Sequence, residues 1–229
     1  MNPMSFASPP YADRAAAGQR LIEPLAQYRG RDEVIVLALP RGGVPVAWEV
    51  AKALALRLDL MLVRKLGVPS HPEVAMGAIA SGGILIRNDD ALRANHVDQA
   101  AFEAVFQQET QELSRREARY RPNRPPLGLK DQVVLLVDDG LATGASMMAA
   151  IRAARLHKPN AIVVAVPVAP VETAEALRSE VDEWVCPLMP EWMRSVGDWY
   201  EDFSQTSDEQ VIELLQEVWS RDRHDPLNA

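Results

Sequence analysis

Cysteine is nearly absent from this sequence, which limits what can hold the fold together. The 229 residues contain one cysteine, so no disulfide can form within the chain and a disulfide-stapled secreted fold is excluded. The four histidines are scattered without the spacing of metal ligands, which argues against a structural zinc site. No apolar run reaches the ~20 residues that a membrane-spanning helix needs, and residues 1–14 lack the apolar stretch of a secretory signal. We therefore expect a cytoplasmic protein without a membrane partner.

An excess of positive charge is also lacking. Lys and Arg number 24 against 32 Asp and Glu, which gives a net charge of -8 and a pI near 5.1. Because a phosphate backbone is bound mainly by lysine and arginine, this balance argues against nucleic acid as a partner. The sequence contains neither a Walker A lysine loop nor a G-x-S-x-G turn, which excludes the usual P-loop and serine-hydrolase sites. Hydrophobic residues make up 48% of the chain, enough for a substantial core.

Three continuous apolar runs predict strands that are buried on both faces, as in a parallel sheet between helix layers. They cover residues 34–39, 133–137 and 162–166. After the first run come two glycines and then apolar residues at helical spacing over 47–54, so strand, turn and helix open a βαβ unit. We expect an α/β fold with a doubly wound, mostly parallel sheet flanked by helices. Further predicted elements are helices over 11–28 and 98–121, from the end of the 138–146 turn to about 156, and over 174–178 and 207–218, with strands over 60–63, 73–80 and 84–86.

The most informative segment is VVLLVDDGLATGAS, residues 133–146. In an open parallel sheet, ligands bind beyond the carboxyl ends of the strands, where this loop should lie. Its small residues would present backbone N–H groups and a helix N-terminus to a phosphate. Asp138 and Asp139 could accept hydrogen bonds from a diol or bind Mg²⁺ through water. Phosphate beside a diol describes a ribose 5-phosphate; the alternative is a plain helix cap preceded by two solvated aspartates.

The same string resembles the phosphoribosyl-pyrophosphate (PRPP) signature of the type I phosphoribosyltransferases. In that signature, hydrophobic residues lead into two acidic residues, a short loop and T-G-x-[ST]. The resemblance extends over most of the chain. Pro40 to Gly43 stands where the family has its pyrophosphate-binding turn, and Arg64-Lys65 stands near the start of its mobile loop. The stretch PEWMRSVGDWYEDF, residues 190–203, resembles the hood that covers the base in purine-type members.

The resemblance implies a role for each matching residue. Two aspartates would hold the ribose hydroxyls and help to place Mg²⁺, and a glycine turn with a lysine would bind and neutralise pyrophosphate. A small-residue loop would cradle the 5-phosphate, and two hood residues would meet the base. In that order these residues are Asp138 and Asp139; Arg41, Gly42, Gly43 and Lys65; Gly140, Leu141, Ala142, Thr143, Gly144, Ala145 and Ser146; and Trp192 and Val196. The catalytic residues among them would be Asp138, Asp139, Arg41 and Lys65.

Composition and the resemblance together indicate how the chain is divided. Residues 1–10 are rich in proline and serine, which predicts a flexible N-terminus. A phosphoribosyltransferase-like α/β core would cover residues 11–185, and the hood and a final helix would cover residues 186–229. A cis peptide often occurs in the pyrophosphate-binding turn of the family; the sequence does not decide whether Arg41-Gly42 has one.

We therefore expect a transferase of nucleotide metabolism that uses PRPP and Mg²⁺ to ribosylate a nitrogenous base, with a purine preferred, and that releases pyrophosphate. Two features conflict over the base. Ala142 replaces an acidic residue of 6-oxopurine members, as in adenine-type members, whereas Val196-Gly197 resembles the 6-oxopurine hood. One alternative is a regulatory protein that binds PRPP or a nucleotide without turnover. Another is a phosphosugar enzyme of a different reaction type. The helix over 98–121 leaves a homodimer open.

Overall fold

Eight strands and seven helices form the part of the chain that this computed structural model describes, residues 10–122 and 124–222. The strands are β1 (Val34–Ala38), β2 (Arg57–Leu60), β3 (Val63–Val68), β4 (His71–Ala80), β5 (Ile84–Arg87), β6 (Val133–Val137), β7 (Ala161–Ala165) and β8 (Glu183–Val185). The helices are α1 (Arg14–Ile22), α2 (Gly43–Leu54), α3 (Asp89–Ala94), α4 (Gln99–Tyr120), α5 (Ala145–Leu156), α6 (Val171–Arg178) and α7 (Asp208–Asp222). Turns of 3-10 helix occur at Ala26–Tyr28 and Val196–Trp199.

Five parallel strands form the main sheet, in the order β2-β1-β6-β7-β8. All residues of β1 and β6 are buried, and the two strands pair in register from Val34 with Val133 to Ala38 with Val137. The chain leaves them in opposite directions, from β1 outward to β2 and from β6 outward to β7. The crevice beyond their carboxyl ends is therefore the switch point of a doubly wound sheet. The predicted doubly wound, mostly parallel sheet is confirmed.

An antiparallel sheet of β3, β4 and β5 follows the edge strand β2 along the chain. The predicted strand over 60–63 is wrong in its bounds, because β2 ends at Leu60 and β3 begins at Val63. Met61 and Leu62 between them are buried in two different core clusters. The apolar run therefore continues where the chain crosses from the main sheet to the antiparallel sheet. Hydrophobicity alone does not show where one sheet ends and the next begins.

Proline and capping residues set the ends of several helices. The predicted helix over 11–28 is α1 followed by a 3-10 turn, because Pro24 lacks an N–H group and does not continue a helix. Asp13 caps α1 by accepting a backbone hydrogen bond of 2.7 Å. The predicted capping box begins α7: the Ser207 N–H donates to Gln210 Oε1 (2.8 Å), and the Gln210 N–H donates to Ser207 Oγ (3.2 Å). Helix α3 and strand β8 have no counterpart among the predictions.

The C-terminal segment divides between the core and a second layer. Helix α7 packs against α2 and β2, and the indole N–H of Trp219 donates to the carbonyl oxygen of Leu58 at 2.8 Å. The preceding residues 186–203, called the hood below, run mostly as irregular backbone. They share an apolar cluster with Tyr11 and Ala17 near the N-terminus. The hood therefore lies against the beginning of the chain, whereas the final helix belongs to the core.

The predicted flexible N-terminus falls almost entirely on residues 1–9, which lie outside the described residues. The predicted boundary between residues 185 and 186 stays a prediction. Over residues 10–122 and 124–222, no helix is both long enough and apolar enough to cross a membrane.

A buried ion pair fixes the path by which the chain returns from α4 to the main sheet. Arg121 Nε donates to Asp59 Oδ1 at 2.6 Å, and these side chains are only 3% and 1% exposed. The backbone N–H groups of Leu60 and Leu127 donate to the same carboxylate at 2.8 and 2.9 Å. The carboxylate therefore holds the end of β2 and the segment before β6 together.

Arg121→Met should strongly destabilise the protein, because it leaves the Asp59 carboxylate buried without its cation. Breaking one side of a buried pair lowers the free energy of unfolding by about 3–5 kcal/mol, which urea denaturation measures. The control is Arg115→Met on the exposed face of α4, where Arg115 pairs with Glu112 and its loss should change little. Equal destabilisation by the two variants would contradict this interpretation.

Candidate functional site

Two turns meet at the switch point, and glycines allow their backbones to touch. The turn after β1, residues 40–43, packs against the start of the loop after β6. A Cβ added to Gly43 would lie 2.8 Å from a backbone carbonyl oxygen of β6 and 2.9 Å from Cα of Asp138. A Cβ added to Gly42 would lie 1.9 Å from Oδ2 of Asp139. Because no side chain fits at either position, the close approach of the two turns requires both glycines.

The acidic pair is held in place by contacts from three parts of the chain. Asp138 Oδ1 accepts a hydrogen bond from the Asp139 N–H at 2.9 Å. Asp139 Oδ2 accepts one from Arg14 Nε at 2.8 Å, and both side chains of this ion pair are nearly buried. The Tyr200 hydroxyl donates to the backbone carbonyl of Asp139. The carboxylates are thus oriented by α1, by the hood and by their own backbone.

Burial makes the charged state of this pair costly. Burial and the neighbouring Asp139 charge raise the pKa of Asp138 well above its ordinary value. Burial also raises the pKa of Asp139, although the Arg14 guanidinium lowers it in part. Two carboxylates therefore share one neighbouring arginine. A ligand that brings hydroxyl donors or a divalent cation would relieve the remaining repulsion.

The loop after the acidic pair is fastened to the strand and helix beside it. The Leu141 N–H donates to the carbonyl oxygen of Val168 at 2.9 Å. The Thr173 hydroxyl donates to the carbonyl oxygen of Ala142 at 2.7 Å. Gly144 has a φ of 71°, and an added Cβ would lie 2.8 Å from a side-chain carbon of α6. The loop is therefore held rigid before any ligand binds.

Helix α5 begins at the end of this loop, and its first N–H group, that of Ala145, donates only a long hydrogen bond of 3.5 Å to Thr143 Oγ1. Gly144 is its N-cap residue, and no side-chain cap hydrogen bond is present there. The side chains of Thr143, Ala145 and Ser146 are exposed around the same turn. The N–H groups of a first helical turn and the helix dipole make such an end suited to an anion. The geometry supports the predicted phosphate role of the loop, which stays a prediction.

The two predicted basic residues have other contacts in this structure. Arg41 Nη1 lies 3.7 Å from Asp208 Oδ1 at the start of α7. The Lys65 ammonium donates to the backbone carbonyl of Glu73 at 3.2 Å, across the β3–β4 hairpin. The peptide bond before Arg41, Pro40-Arg41, is cis. The pyrophosphate roles of Arg41 and Lys65 stay predictions.

The two predicted base contacts differ in their surroundings. Trp192 is 72% exposed on the hood. Val196 instead lies over the acidic loop, with Cγ1 2.6 Å from the position of an added Cβ at Gly140. The hood therefore rests on the loop at a glycine. Both base contacts stay predictions.

Three residues that sequence reasoning did not assign to the site lie against it. Arg14 pairs with Asp139, Tyr200 donates to its backbone, and the Tyr11 hydroxyl donates to the carbonyl oxygen of Pro167 at 2.8 Å. Arg14 precedes the acidic pair by 125 positions, so no local pattern could reveal its contact. The aromatic and acidic composition around Tyr200 is the one local signal, and it is equally typical of packing.

The donor set fits Mg²⁺ held mainly by water and substrate. Over the described residues, no cluster of three or more His, Cys, Asp or Glu could enclose a metal ion. Magnesium keeps several waters and is usually bound through one or two carboxylates together with substrate phosphates. Adjacent, nearly buried carboxylates beside a candidate phosphate loop match that pattern.

Comparisons with known proteins agree with this geometry. The family model described as "Phosphoribosyl transferase domain" matches residues 11–203. Two curated proteins of Mycobacterium tuberculosis, provisionally named phosphoribosyl transferases, are 45% identical over 205 residues, covering 90% of this chain and 46% of theirs. The chain thus spans about half the length of these relatives.

Solved structures give the same picture. The crystal structure of TT1426 from Thermus thermophilus has a TM-score of 0.81 and 44% identity, covering 90% of this chain and 98% of that one. The structure of AQ2163 from Aquifex aeolicus, at 11% identity and a TM-score of 0.50, covers 80% and 78% and is similar in fold alone.

Asp138→Asn should stabilise the metal-free protein at pH 7. A carboxyl whose pKa is raised by folding favours its protonated form, so the wild type loses stability as pH rises through that pKa, and the amide avoids the loss. We expect a higher melting temperature for the variant at pH 7, measured in EDTA. The advantage should shrink as pH falls toward about 4, near the ordinary aspartate pKa.

The control for this prediction is Asp131→Asn, at an exposed aspartate before β6. It should show no comparable gain that depends on pH. A melting temperature of Asp138→Asn equal to or below the wild-type value at pH 7 would mean that the acidic pair is not electrostatically strained.

Proposed function

The chain belongs to the phosphoribosyl transferase family, and from that membership we propose that it transfers the phosphoribosyl group of PRPP to a nitrogenous base with release of pyrophosphate. One observation carries the proposal. The basic glycine turn after β1 and the acidic loop after β6 meet at the switch point of the sheet, in direct backbone contact. The family model covers both segments.

The acidic loop would bind the phosphoribosyl end of the substrate. We propose that Asp138 and Asp139 accept hydrogen bonds from the two ribose hydroxyls. The backbone N–H groups from Gly140 to Ser146 and the start of α5 would bind the 5-phosphate, with hydroxyls of Thr143 and Ser146 beside them. The glycine N-cap of α5 and the hydrogen bond from Thr173 that holds the loop against α6 support this assignment.

The turn after β1 would receive the pyrophosphate. Its glycines would bring the backbone N–H groups of Arg41, Gly42 and Gly43 close to the ribose site; the Gly43 N–H at present donates to the carbonyl oxygen of Leu39 at 3.1 Å. The Arg41 and Lys65 side chains would supply positive charge after leaving their present contacts. Asp138 and Asp139 would hold Mg²⁺ through water and PRPP, and the ion would supply further positive charge to the phosphate oxygens.

These groups suit the bond changes of the reaction. The bond between the ribose C1 and the pyrophosphate oxygen breaks, and its electron pair leaves with pyrophosphate. A nitrogen of the base donates its lone pair to C1, and the proton that this nitrogen carried passes to water. The transition state has positive charge on the sugar and growing negative charge on the leaving group. Fixed N–H dipoles and cations at the pyrophosphate therefore stabilise it most, and no covalent nucleophile is needed.

We propose a purine as the acceptor. The hood rests on the acidic loop through Val196, as a cover over a planar base would. Position 142 is alanine, and the segment Pro167 to Pro170 after β7 contains no lysine. Recognition of the base would thus depend on backbone groups and apolar contact rather than on a charged side chain.

Pyrophosphate release tests the function directly. The protein is incubated with PRPP, Mg²⁺ and each of a panel of purines and pyrimidines. Release that depends on a purine would support the proposal and identify the acceptor. PRPP binding by calorimetry without release for any base would favour a protein that binds without turnover, and no PRPP binding would overturn the site.

Asp138→Asn combined with Asp139→Asn should lower PRPP affinity at least about 100-fold. Each aspartate supplies a charged hydrogen bond of roughly 1.5–3 kcal/mol to the ribose. Isothermal titration calorimetry measures the affinity, and circular dichroism confirms that the variant is folded. Unchanged affinity in the folded variant would remove the ribose assignment.

Gly42→Ala should weaken PRPP binding about 10- to 100-fold, because the new methyl group would displace the Asp139 carboxylate. The backbone at Gly42 is helical (φ -60°), so alanine causes no backbone strain there. Gly128→Ala is the matched control, since an added Cβ at Gly128 meets nothing within 4 Å. Comparable affinities for the two variants would show that the contact between turn and loop is unimportant for binding.

A further inference from the structure

Arg14, the first residue of α1, places its positively charged side chain against the acidic pair. We infer that Arg14 is a positioning residue. It holds the Asp139 carboxylate in the orientation that binds the ribose, and it connects this carboxylate to the hood. This inference rests on the proposed function, since it concerns the same PRPP site.

Three contacts fix the Arg14 guanidinium. Its Nε donates to Asp139 Oδ2 at 2.8 Å, and its Nη1 donates to the carbonyl oxygen of Ser204 at 2.6 Å. Its central carbon lies 4.0 Å from the centre of the Phe203 ring. The Arg14 side chain is 12% exposed. An arginine held on all sides in this way is set for one orientation, unlike a surface arginine that happens to meet a carboxylate.

The backbone around Arg14 is joined to the hood. The Tyr11 N–H donates to the carbonyl oxygen of Trp199 at 3.2 Å, and the Glu201 N–H donates back to the carbonyl oxygen of Tyr11 at 2.9 Å. The Tyr200 hydroxyl donates to the backbone carbonyl of Asp139. The N-terminal segment therefore holds the side chain of Asp139, and the hood holds its backbone. The N-terminal segment and the hood are in turn hydrogen-bonded to each other.

This arrangement assigns different tasks to the two oxygens of Asp139. Oδ2 faces Arg14 and the Gly42 backbone. Over residues 10–122 and 124–222, no arginine, lysine or backbone N–H donates to Oδ1, although the Asp138 and Asp139 carboxyl groups are close enough to share a hydrogen bond when one of them is protonated. Arg14 thus leaves Oδ1 as the oxygen available to a ribose hydroxyl. Without Arg14, the carboxylate could rotate, and the charge of the pair would lose its nearest compensating cation.

A double-mutant cycle tests whether Arg14 acts through Asp139. PRPP affinity is measured by calorimetry with Mg²⁺ for the wild type, Arg14→Gln, Asp139→Asn and the double variant. We expect Arg14→Gln to weaken PRPP binding about 10-fold in the wild-type background, the effect of losing roughly one charged hydrogen bond. In the Asp139→Asn background, the same change should have little further effect.

Two more variants separate positioning from general stability. Arg14→Lys keeps the charge but loses the fork that contacts both Asp139 and Ser204, so it should recover part of the affinity. Arg20→Gln, on an exposed position of the same helix, should bind PRPP like the wild type. In pyrophosphate-release kinetics, Arg14→Gln should raise the KM for PRPP more than it lowers kcat, and a merely unstable variant would not show that split.

The outcomes distinguish this inference from the proposed function. One result is that the wild type binds PRPP and Arg14→Gln binds it equally well. Another is that Arg14→Gln lowers PRPP affinity by the same factor in the wild-type and Asp139→Asn backgrounds. In either case Arg14 does not act through that carboxylate, and the inference is wrong while the proposed function stands. If the wild type does not bind PRPP, the proposed function falls and the inference falls with it. Should Arg14→Gln fail to fold, the same cycle is measured with Arg14→Lys, alone and combined with Asp139→Asn.

Discussion

The backbone contact between the turn after β1 and the loop after β6 is the constraint on which the rest of the site depends. Gly42 and Gly43 leave no space for a Cβ against Asp139 and Asp138. Two neighbouring strands of a parallel sheet are about 4.8 Å apart, so the turns that follow them start side by side, and here the turns approach so closely that a Cβ at either glycine would clash. This contact places N–H groups and carboxylates within the reach of a single small ligand.

The acidic pair shows how a proposed binding role would oppose stability in one structure. Burial raises the pKa of both aspartates, so the ionised pair disfavours folding at neutral pH. Arg14 offsets part of this cost through its ion pair with Asp139. A ligand that brings hydroxyl groups or a cation would offset the rest of this electrostatic cost. Such local strain is common at functional sites and is compensated by the surrounding core.

Much of the fold followed from local pattern, and what escaped prediction depends on distant contacts. Continuous apolar runs marked β1, β6 and β7, because strands covered on both faces have no polar side. The same uniformity hid the crossing at Met61 and Leu62, where one buried environment replaces another. The acidic loop was recognisable because its residues are consecutive. Arg14 was not, since its partner lies 125 positions away.

The hood shows why the acceptor is harder to infer than the sugar phosphate. The proposed ribose and phosphate contacts come from one short loop, whereas the proposed base contacts would lie between that loop and a separate segment of the chain. Val196 reaches Gly140 only because the latter has no side chain. If a base binds between them as proposed, it would displace Val196, and the hood that carries Val196 is hydrogen-bonded through the Tyr200 hydroxyl to the backbone carbonyl of Asp139. Entry of such a base would therefore disturb the backbone of a residue that is proposed to hold the ribose.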